Sequence, residues 1–163
     1  MTLLAIDGPA GAGKTTFAAT LEKEFSEKGS VRVIHLDDLY SGWTTALGND
    51  LTEVLDRITS AHLVGKSCKV RIFNWSIMKF DREDVIEPTE TLILEGVGAA
   101  QLIVRDAGAT TYWMDVDPEI GLRRVIERDG DSVIPYMHQW QIDQDQHFNR
   151  DETRQNCEFK LTS

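Results

Sequence analysis

A glycine-rich segment near the start of the chain has the spacing of a phosphate-binding loop. Residues 8–15 read GPAGAGKT and match G-x-x-x-x-G-K-[ST]. Glycines let the backbone curl so that successive N–H groups face a phosphate, and a following helix adds partial positive charge. Lys14 is expected to reach the β- and γ-phosphates, and the hydroxyl of Thr15 to ligate Mg²⁺. The residues predicted to bind the nucleotide are Gly8, Pro9, Ala10, Gly11, Ala12, Gly13, Lys14, Thr15 and Thr16.

Carboxylates follow two further apolar segments of the chain. Asp37 and Asp38 come directly after residues 31–36, and Glu95 follows residues 91–94. A carboxylate beside a phosphate loop can accept a proton from an acceptor hydroxyl or bind magnesium, and spacing alone leaves both roles open for Asp37. Glu95 is predicted to hold the metal through water, or else to polarise the attacking group. Successive residues of an extended segment point to opposite sides, so Asp37 and Asp38 are not expected to share a role.

Three arginines fall on one predicted helix in the second half of the chain. Arg124 and Arg128 lie four residues apart on the same face, and Arg123 precedes them. Phosphoryl transfer needs cations that close over the γ-phosphate, so Arg124 and Arg128 are predicted to act in catalysis. A flexible break follows this helix, and residues 123–133 are predicted to form a short lid. The alternative is an ordinary solvated helix face.

Aromatic residues offer an apolar wall for a small-molecule acceptor. Small-molecule sites combine aromatic surfaces with few polar anchors, and Tyr40 and Trp75 are predicted to contact the acceptor. Packing in the core is the alternative and the commoner fate of such residues. The histidines show no metal-ligand spacing and are assigned structural or surface roles, and the two cysteines form no CxxC motif. The aromatic candidates for the wall are Tyr40, Trp43, Phe73, Trp75 and Trp140.

Short apolar runs alternating with longer helical periods predict the elements that position these residues. Strands are predicted over residues 2–7, 31–36, 69–73, 91–94 and 110–116, with a last one near 158–161. Helices are predicted over residues 14–28, 50–64, 118–128 and 134–149.

Capping residues mark several of the predicted helix ends. Asp50 with the glutamate three residues later has the form of a capping box, and Gly65 is expected to close that helix. Gly29 is the expected carboxyl-terminal cap of the first helix. Asp117 is the expected N-cap of the third helix, with Pro118 in its first position.

Strands that alternate with helices predict an α/β fold in three layers, because parallel strands need crossover connections. We therefore expect a P-loop NTPase fold, with a parallel sheet that has helices on both faces. Ligands of such sheets bind beyond the carboxyl ends of the strands. This rule places the site at the loops that follow Ile6, Leu36 and Leu94.

Length and charge limit the class of protein. The 163 residues fit one domain spanning 1–163, and 17 Lys and Arg against 27 Asp and Glu give a net charge of −10. Phosphate backbones are held mainly by Lys and Arg, so no nucleic-acid partner is expected. The longest apolar runs are strand-sized, so no membrane segment or signal peptide is predicted and the cytoplasm is the expected location. The oligomeric state stays open.

Other classes of P-loop protein lack support in the sequence. The N-K-x-D and D-x-x-G motifs of GTPases are missing, as is the L-S-G-G-Q segment of transporter ATPases. The chain is also short for an AAA+ module with its helical lid domain. A compact kinase or a small regulatory NTPase remains.

Four segments, in chain order, resemble the uridine kinase-like branch of P-loop kinases. GPAGAGKTT at 8–16 is similar to the phosphate loop of that family, and VIHLDDLY at 33–40 to its strand ending in Asp-x-Phe-Tyr or Asp-Asp-Phe-Phe. ILEG at 93–96 resembles the family's acidic strand end, and LRRVIERD at 122–129 resembles its lid segment. The resemblance covers residues 1–154.

This resemblance implies a role for several residues. Asp37 corresponds to the family's general base, and Asn74 and Trp75 lie where the family often has Tyr-Asp-Phe or Tyr-Asp-Trp close to the acceptor. Two positions depart from the family pattern, because Asn74 replaces the usual aspartate and Leu39 replaces a phenylalanine. Both departures bear on the identity of the acceptor.

The sequence thus predicts a kinase that uses ATP and Mg²⁺ to phosphorylate a hydroxyl of a small metabolite, with a nucleoside or nucleoside-like acceptor favoured. A nucleoside monophosphate kinase is one alternative, since IDGPAG at 6–11 also looks like the opening of cytidylate kinase. Such an enzyme should show arginines for the acceptor phosphate, and residues 39–43 contain none. The other alternative is a non-catalytic nucleotide-binding regulatory module, which needs neither Asp37 nor an acceptor pocket.

Overall fold

A computed structural model describes residues 1–162 of the chain. Its strands are β1 (Thr2–Asp7), β2 (Val31–His35), β3 (Cys68–Asn74), β4 (Lys79–Ile86), β5 (Thr91–Glu95), β6 (Thr110–Asp115) and β7 (Phe159–Thr162). Its helices are α1 (Lys14–Ser26), α2 (Asn49–Leu63), α3 (Leu102–Asp106), α4 (Pro118–Asp129), α5 (Ile134–Asp151) and α6 (Thr153–Asn156). Five strands form a parallel sheet in the order β2-β5-β1-β6-β7.

The central strand β1 shows why this sheet is covered on both faces. Leu4 and Ile6 belong to a core cluster that includes Ala18 and Leu21 of α1. The alternate residues Leu3 and Ala5 belong to a second cluster, which helices α2 to α5 build on the opposite face. Side chains alternate along a strand, so an unbroken apolar run needs cover on both sides. The predicted three-layer α/β architecture, a parallel sheet with helices on both faces, is confirmed.

The strands β3 and β4 depart from the expected pattern. The predicted strand at residues 69–73 exists, but it pairs with β4 as an antiparallel hairpin outside the main sheet. The sequence of β4 reads KFDREDVI, and only Ile86 at its end is buried. The partner strand therefore lacks the apolar pattern by which a strand is recognised. The short helix α3 was also missing from the sequence prediction.

Two of the predicted caps are wrong and two are confirmed. Helix α2 begins at Asn49 after Gly48, so Asp50 lies in its first turn and no capping box forms. Gly29 lies two residues beyond the C-cap residue of α1 and has no left-handed conformation. Its lack of a Cβ makes room for the carboxylate of Glu90. Gly65 does close α2, with φ +66°.

The start of α4 agrees with the prediction. The side chain of Asp117 accepts hydrogen bonds from the backbone N–H groups of Glu119 and Ile120, and Pro118 occupies the first helical position. Helix α5 runs two residues beyond its expected end, to Asp151. Within the described chain, no helix is both long enough and apolar enough to cross a membrane.

A close backbone contact fixes the phosphate loop against α4. A Cβ on Gly11 would lie 2.3 Å from the carbonyl oxygen of Gly121, and a Cβ on Gly121 would lie 2.7 Å from the carbonyl oxygen of Ala10. Neither contact leaves room for a side chain. The arginine-bearing helix is therefore packed directly on the loop that precedes α1.

This packing predicts the effect of Gly121→Ala. Alanine favours a helix interior over glycine by about 0.8–1.0 kcal/mol, but here its methyl group meets backbone. We expect overpacking to lower the free energy of unfolding by about 1–3 kcal/mol, as measured by urea denaturation. The control is Glu127→Ala on the exposed face of α4, expected to change stability by less than about 0.5 kcal/mol. Equal stabilities of the two variants would contradict the close packing.

Candidate active site

Three strand ends meet in one cleft with a volume of about 660 Å³. The loop after β1, the turn after β2 and the end of β5 form its floor, as the sequence predicted, and α4 and α5 form its far wall. Of the residues singled out from the sequence, those that line the cleft are Ala10, Gly11, Gly13, Lys14, Thr15, Thr16, Asp37, Asp38, Tyr40, Trp43, Trp75, Glu95, Arg124, Arg128 and Trp140.

The glycine-rich loop has the geometry of an anion site. Gly13 adopts a left-handed conformation with φ +89°, and α1 begins at the next residue. No acidic side chain lies in the first turn of α1, and no side chain caps its amino terminus. The first N–H groups of the helix therefore keep their partial positive charge for a ligand.

The side chain of Lys14 reaches back across the phosphate loop. Its Nζ donates a hydrogen bond of 2.9 Å to the carbonyl oxygen of Pro9, and the residue is only 8% exposed. Burial lowers the pKa of Lys14, against the opposing charges of Asp7, Glu95 and Asp37. A phosphate in the cleft would give this desolvated ammonium a further anionic partner.

The predicted metal residues lie in contact with each other. The hydroxyl of Thr15 donates a hydrogen bond of 3.1 Å to Oε1 of Glu95, whose residue is 4% exposed. Because the hydroxyl proton points to Glu95, the oxygen of Thr15 presents its lone pairs elsewhere, as a metal ligand must.

A magnesium ion fits this pair of residues. Among residues 1–162, no group of three or more His, Cys, Asp or Glu side chains is placed to enclose a metal. Magnesium does not require such a group, since it usually keeps several waters and binds one or two protein oxygens together with substrate phosphates. Thr15 and Glu95 supply two hard oxygen donors next to the phosphate loop.

A histidine that sequence analysis assigned to a structural or surface role completes this group. Nδ1 of His35 lies 2.5 Å from Oε1 of Glu95, and this hydrogen bond raises the pKa of His35 against the effect of burial. His35 and Glu95 are partners in the register of β2 and β5. Only the strand pairing brings them together, so no sequence spacing could have indicated the contact.

Asp37 lies at the cleft, but not on an extended segment. Leu36–Asp38 forms a single 3₁₀ turn, so the expected alternation of Asp37 and Asp38 is wrong, and both line the cleft. Although Asp37 opens to the cleft, the surrounding protein atoms desolvate its carboxylate and raise its pKa, and the charge of Glu95 raises it further. Lys14 and Arg128 act in the opposite direction. A raised pKa makes Asp37 a stronger proton acceptor than a solvated aspartate.

Aromatic side chains form the wall opposite the phosphate loop. Trp43 stacks on Tyr136 with ring centroids 5.0 Å apart, and contacts Trp75 and Trp140 edge-on. The hydroxyl of Tyr40 donates a hydrogen bond of 2.6 Å to the carbonyl oxygen of Val97. Tyr40, Trp43, Trp75 and Trp140 line the cleft, whereas Tyr136 does not, and these four side chains give the cleft an apolar part.

Of the two residues of the β3–β4 hairpin that were predicted to contact the acceptor, Trp75 lines the cleft and Asn74 does not. Nε1 of Trp75 donates a hydrogen bond of 2.9 Å to the backbone oxygen of Asp37, which ties the hairpin to the turn after β2. The side chain of Asn74 instead bonds within the hairpin, to Asp81 and to the N–H of Ser76, and does not line the cleft.

The two arginines of the predicted lid, Arg124 and Arg128, line the cleft from α4. Nη1 of Arg124 donates a hydrogen bond of 3.1 Å to the carbonyl oxygen of Gly11. Arg128 forms two hydrogen bonds, of 2.9 and 2.8 Å, with the carboxylate of Asp129. Arg123 is exposed and does not line the cleft.

Asp7 is a second residue that sequence analysis did not assign to the site. It is fully buried, and Oδ1 accepts hydrogen bonds from the N–H groups of Gly8 and Gly98, while Oδ2 accepts one from Ala100. Burial raises its pKa, and these three donors act against that rise. Its position at the end of a strand was visible in the sequence, but two of its three partners, Gly98 and Ala100, are far along the chain.

The sequence matches no protein-family profile and no curated protein sequence. Solved structures are nevertheless similar in fold. A possible uridine kinase from Bacillus stearothermophilus superposes with a TM-score of 0.70 at 16% identity, over 98% of this chain and 88% of that chain. A proposed fructose transport system kinase from Silicibacter sp. TM1040 gives 0.67 at 15% identity, over 98% and 89%. Shikimate kinase from Acinetobacter baumannii, solved with shikimate, gives 0.58 at 15% identity, over 100% and 84%.

At these identities the similarity defines the fold. The chain has the P-loop NTPase fold, and the predicted resemblance to the uridine kinase-like P-loop kinases is confirmed at the level of the fold.

The cleft predicts that nucleotide binding depends on Lys14. We expect Mg·ATP at one hundred times its Kd to stabilise the parent protein by about 2.7 kcal/mol, because the ligand binds only the native state. Lys14→Ala should lose most of this stabilisation in a thermal unfolding assay with and without the ligand. Lys23→Ala, on the exposed face of α1, serves as the control and should respond as the parent does. The same ligand-induced shift in Lys14→Ala and the parent would exclude the assigned role.

Proposed function

We propose that this protein is an ATP- and Mg²⁺-dependent kinase that phosphorylates a hydroxyl group of an uncharged nucleoside or nucleoside-like acceptor. The observation that carries the proposal is the convergence of Lys14, Glu95 and Asp37 in one cleft that also has an apolar part. The first two residues suit a metal–polyphosphate donor, and the third suits an acceptor hydroxyl. The similarity in fold to small-molecule kinases supports the same class of reaction.

On the donor side, the phosphate loop and the start of α1 would bind the β- and γ-phosphates through backbone N–H groups. Lys14 would reach the same oxygens, and Thr15 and Glu95 would hold the metal. When bound, Mg²⁺ supplies neutralisation of the charge that develops on the transferred group. Arg128 would leave Asp129 to contact the γ-phosphoryl oxygens, since both residues line the cleft.

On the acceptor side, Asp37 would accept the proton of the attacking hydroxyl. A bond forms between the acceptor oxygen and the γ-phosphorus while the bond to the β,γ-bridging oxygen breaks, and ADP leaves. The hydrogen bond from the indole N–H of Trp75 to the backbone oxygen of Asp37 keeps the turn that carries Asp37 in place. The aromatic wall would bind the apolar body of the acceptor and exclude water from the transfer.

The charges of the cleft favour a neutral acceptor. Of the described residues that line it, the cations are Lys14, Arg124 and Arg128, and all three adjoin the phosphate loop or its facing helix. In the proposed mechanism these three side chains serve the phosphate donor, which leaves no further lysine or arginine of the described lining for a phosphate or carboxylate of the acceptor. This distribution argues against a nucleoside monophosphate as acceptor, because such a ligand needs charge-assisted hydrogen bonds.

An acceptor panel tests the proposal directly. ADP release is measured with nucleosides, nucleoside monophosphates and small polyols, and the product of any active pair is identified by mass spectrometry. We expect a neutral hydroxyl compound to stimulate ADP release in the parent and not in Lys14→Ala. Stimulation by monophosphates alone would favour the nucleoside monophosphate kinase. No stimulation by any acceptor, with nucleotide binding intact, would favour the regulatory module.

The assigned base predicts the behaviour of Asp37→Asn. The amide keeps the shape of the side chain but cannot take the proton, so kcat should fall by about 10²–10⁴-fold. The affinity for Mg·ATP should change little. Steady-state kinetics with the active acceptor and nucleotide binding measured separately provide the two values.

The control for this variant is Asp38→Asn, which lies in the same turn and also faces the cleft. It should cost far less in kcat. The pH profile gives a second check. Because desolvation by the surrounding protein and the charge of Glu95 raise the pKa of Asp37, the parent should lose activity as the pH falls through that raised value. Two results would show that another group accepts the proton. One is parental turnover in Asp37→Asn, and the other is an Asp37→Asn variant whose activity falls at low pH just as that of the parent does.

A further inference from the structure

His35 is the last residue of β2 and lies at the outer edge of the site. Its side chain is 45% exposed, whereas the side chain of Glu95 is 6% exposed. The hydrogen bond between them therefore links a buried carboxylate of the cleft to a residue that reaches solvent. Neither the predicted mechanism nor the resemblance to known kinases gives His35 a role.

The two oxygens of Glu95 have different surroundings. Oε1 accepts hydrogen bonds from Nδ1 of His35 and from the hydroxyl of Thr15. None of the hydrogen bonds among residues 1–162 ends on Oε2, and Glu95 lines the cleft. Since two donors fix Oε1, the direction in which Oε2 points is fixed as well.

We propose that His35 is a positioning residue for the metal site. Its Nδ1–H holds Oε1 of Glu95 so that Oε2 faces the position of a magnesium-bound water and the hydroxyl of Thr15 keeps its lone pairs directed at the metal. This inference rests on the proposed function only so far as it assumes a magnesium–nucleotide complex in the cleft. It needs no acceptor and no turnover.

A role of His35 in orienting Glu95 has different consequences from a role in the packing of β2 against β5. With the histidine removed, Thr15 is the one remaining donor to Glu95 among the described residues, and a single hydrogen bond leaves the carboxylate free to rotate about its last torsion. Partners that orient metal ligands typically contribute about 10–100-fold to metal affinity. A role confined to packing would instead affect stability and all ligands alike.

The experiment compares His35→Asn with His35→Leu. Asparagine places an N–H donor the same number of bonds from the backbone as Nδ1, whereas leucine has a similar size and no donor. His138→Leu, at an exposed position of α5, is the matched control. The affinity for a fluorescent ATP analogue is measured over a series of Mg²⁺ concentrations and again in EDTA, and urea denaturation reports the stability of each variant.

We expect His35→Leu to need about 10-fold or more Mg²⁺ for half-maximal tight binding, with an unchanged affinity in EDTA. His35→Asn should stay close to the parent, and His138→Leu should match it. If His35→Leu does not fold, His35→Ala, which also lacks a side-chain donor, takes its place in the same assay.

Three results would overturn the inference: an unchanged Mg²⁺ requirement in the donor-free variant, an equal defect in His35→Asn, or a loss of affinity that is as large in EDTA as in Mg²⁺. Failure of the proposed function is distinguishable from these. In that case no acceptor is phosphorylated, while the effect of His35 on the Mg²⁺ requirement persists.

Discussion

The fully buried carboxylate of Asp7 holds the phosphate loop and the end of β5 in a fixed relation. It accepts N–H hydrogen bonds from Gly8, at the start of the loop, and from Gly98 and Ala100, just beyond Glu95. A buried charge is tolerated only when such donors satisfy it, and removal of the carboxylate would leave all three N–H groups without a partner. Thr15 and Glu95, the proposed metal residues, lie next to these two segments and are in contact with each other.

The charges of the cleft have the pattern that a metal–polyphosphate complex requires. Four acidic residues and three cations line it, namely Asp37, Asp38, Glu95, Asp129, Lys14, Arg124 and Arg128. The acids crowd one another, which is one reason why the pKa of Asp37 is raised. A divalent cation would relieve that repulsion. The phosphates of a nucleotide would bring negative charge to the three cations, which already donate hydrogen bonds to Pro9, Gly11 and Asp129. In the proposed function, the metal and the phosphates thus act on oppositely charged groups of the same cleft.

Patterns of neighbouring residues were sufficient to predict the fold and those parts of the site that lie within one segment of the chain. The motif at residues 8–15, the apolar strands and the cap at Asp117 depend on neighbours in the chain, and they were predicted. Asp7 and His35 act through partners about 60 to 93 residues away, so their roles appear only once the strands are paired. At Asn74 the sequence pattern was misleading. Its place in a family motif indicated a contact with the acceptor, but its side chain accepts a hydrogen bond from the N–H of Ser76 in the turn that follows.

A structure of the protein with Mg²⁺ and a non-hydrolysable ATP analogue tests the central claim most directly. The account predicts phosphates along the loop at residues 8–15 and a metal ion bound by the Thr15 hydroxyl, with Glu95 one water away. It also predicts that Arg128 leaves Asp129 for the γ-phosphate. A nucleotide bound elsewhere, or a metal ion that contacts neither Thr15 nor a water held by Glu95, would contradict it.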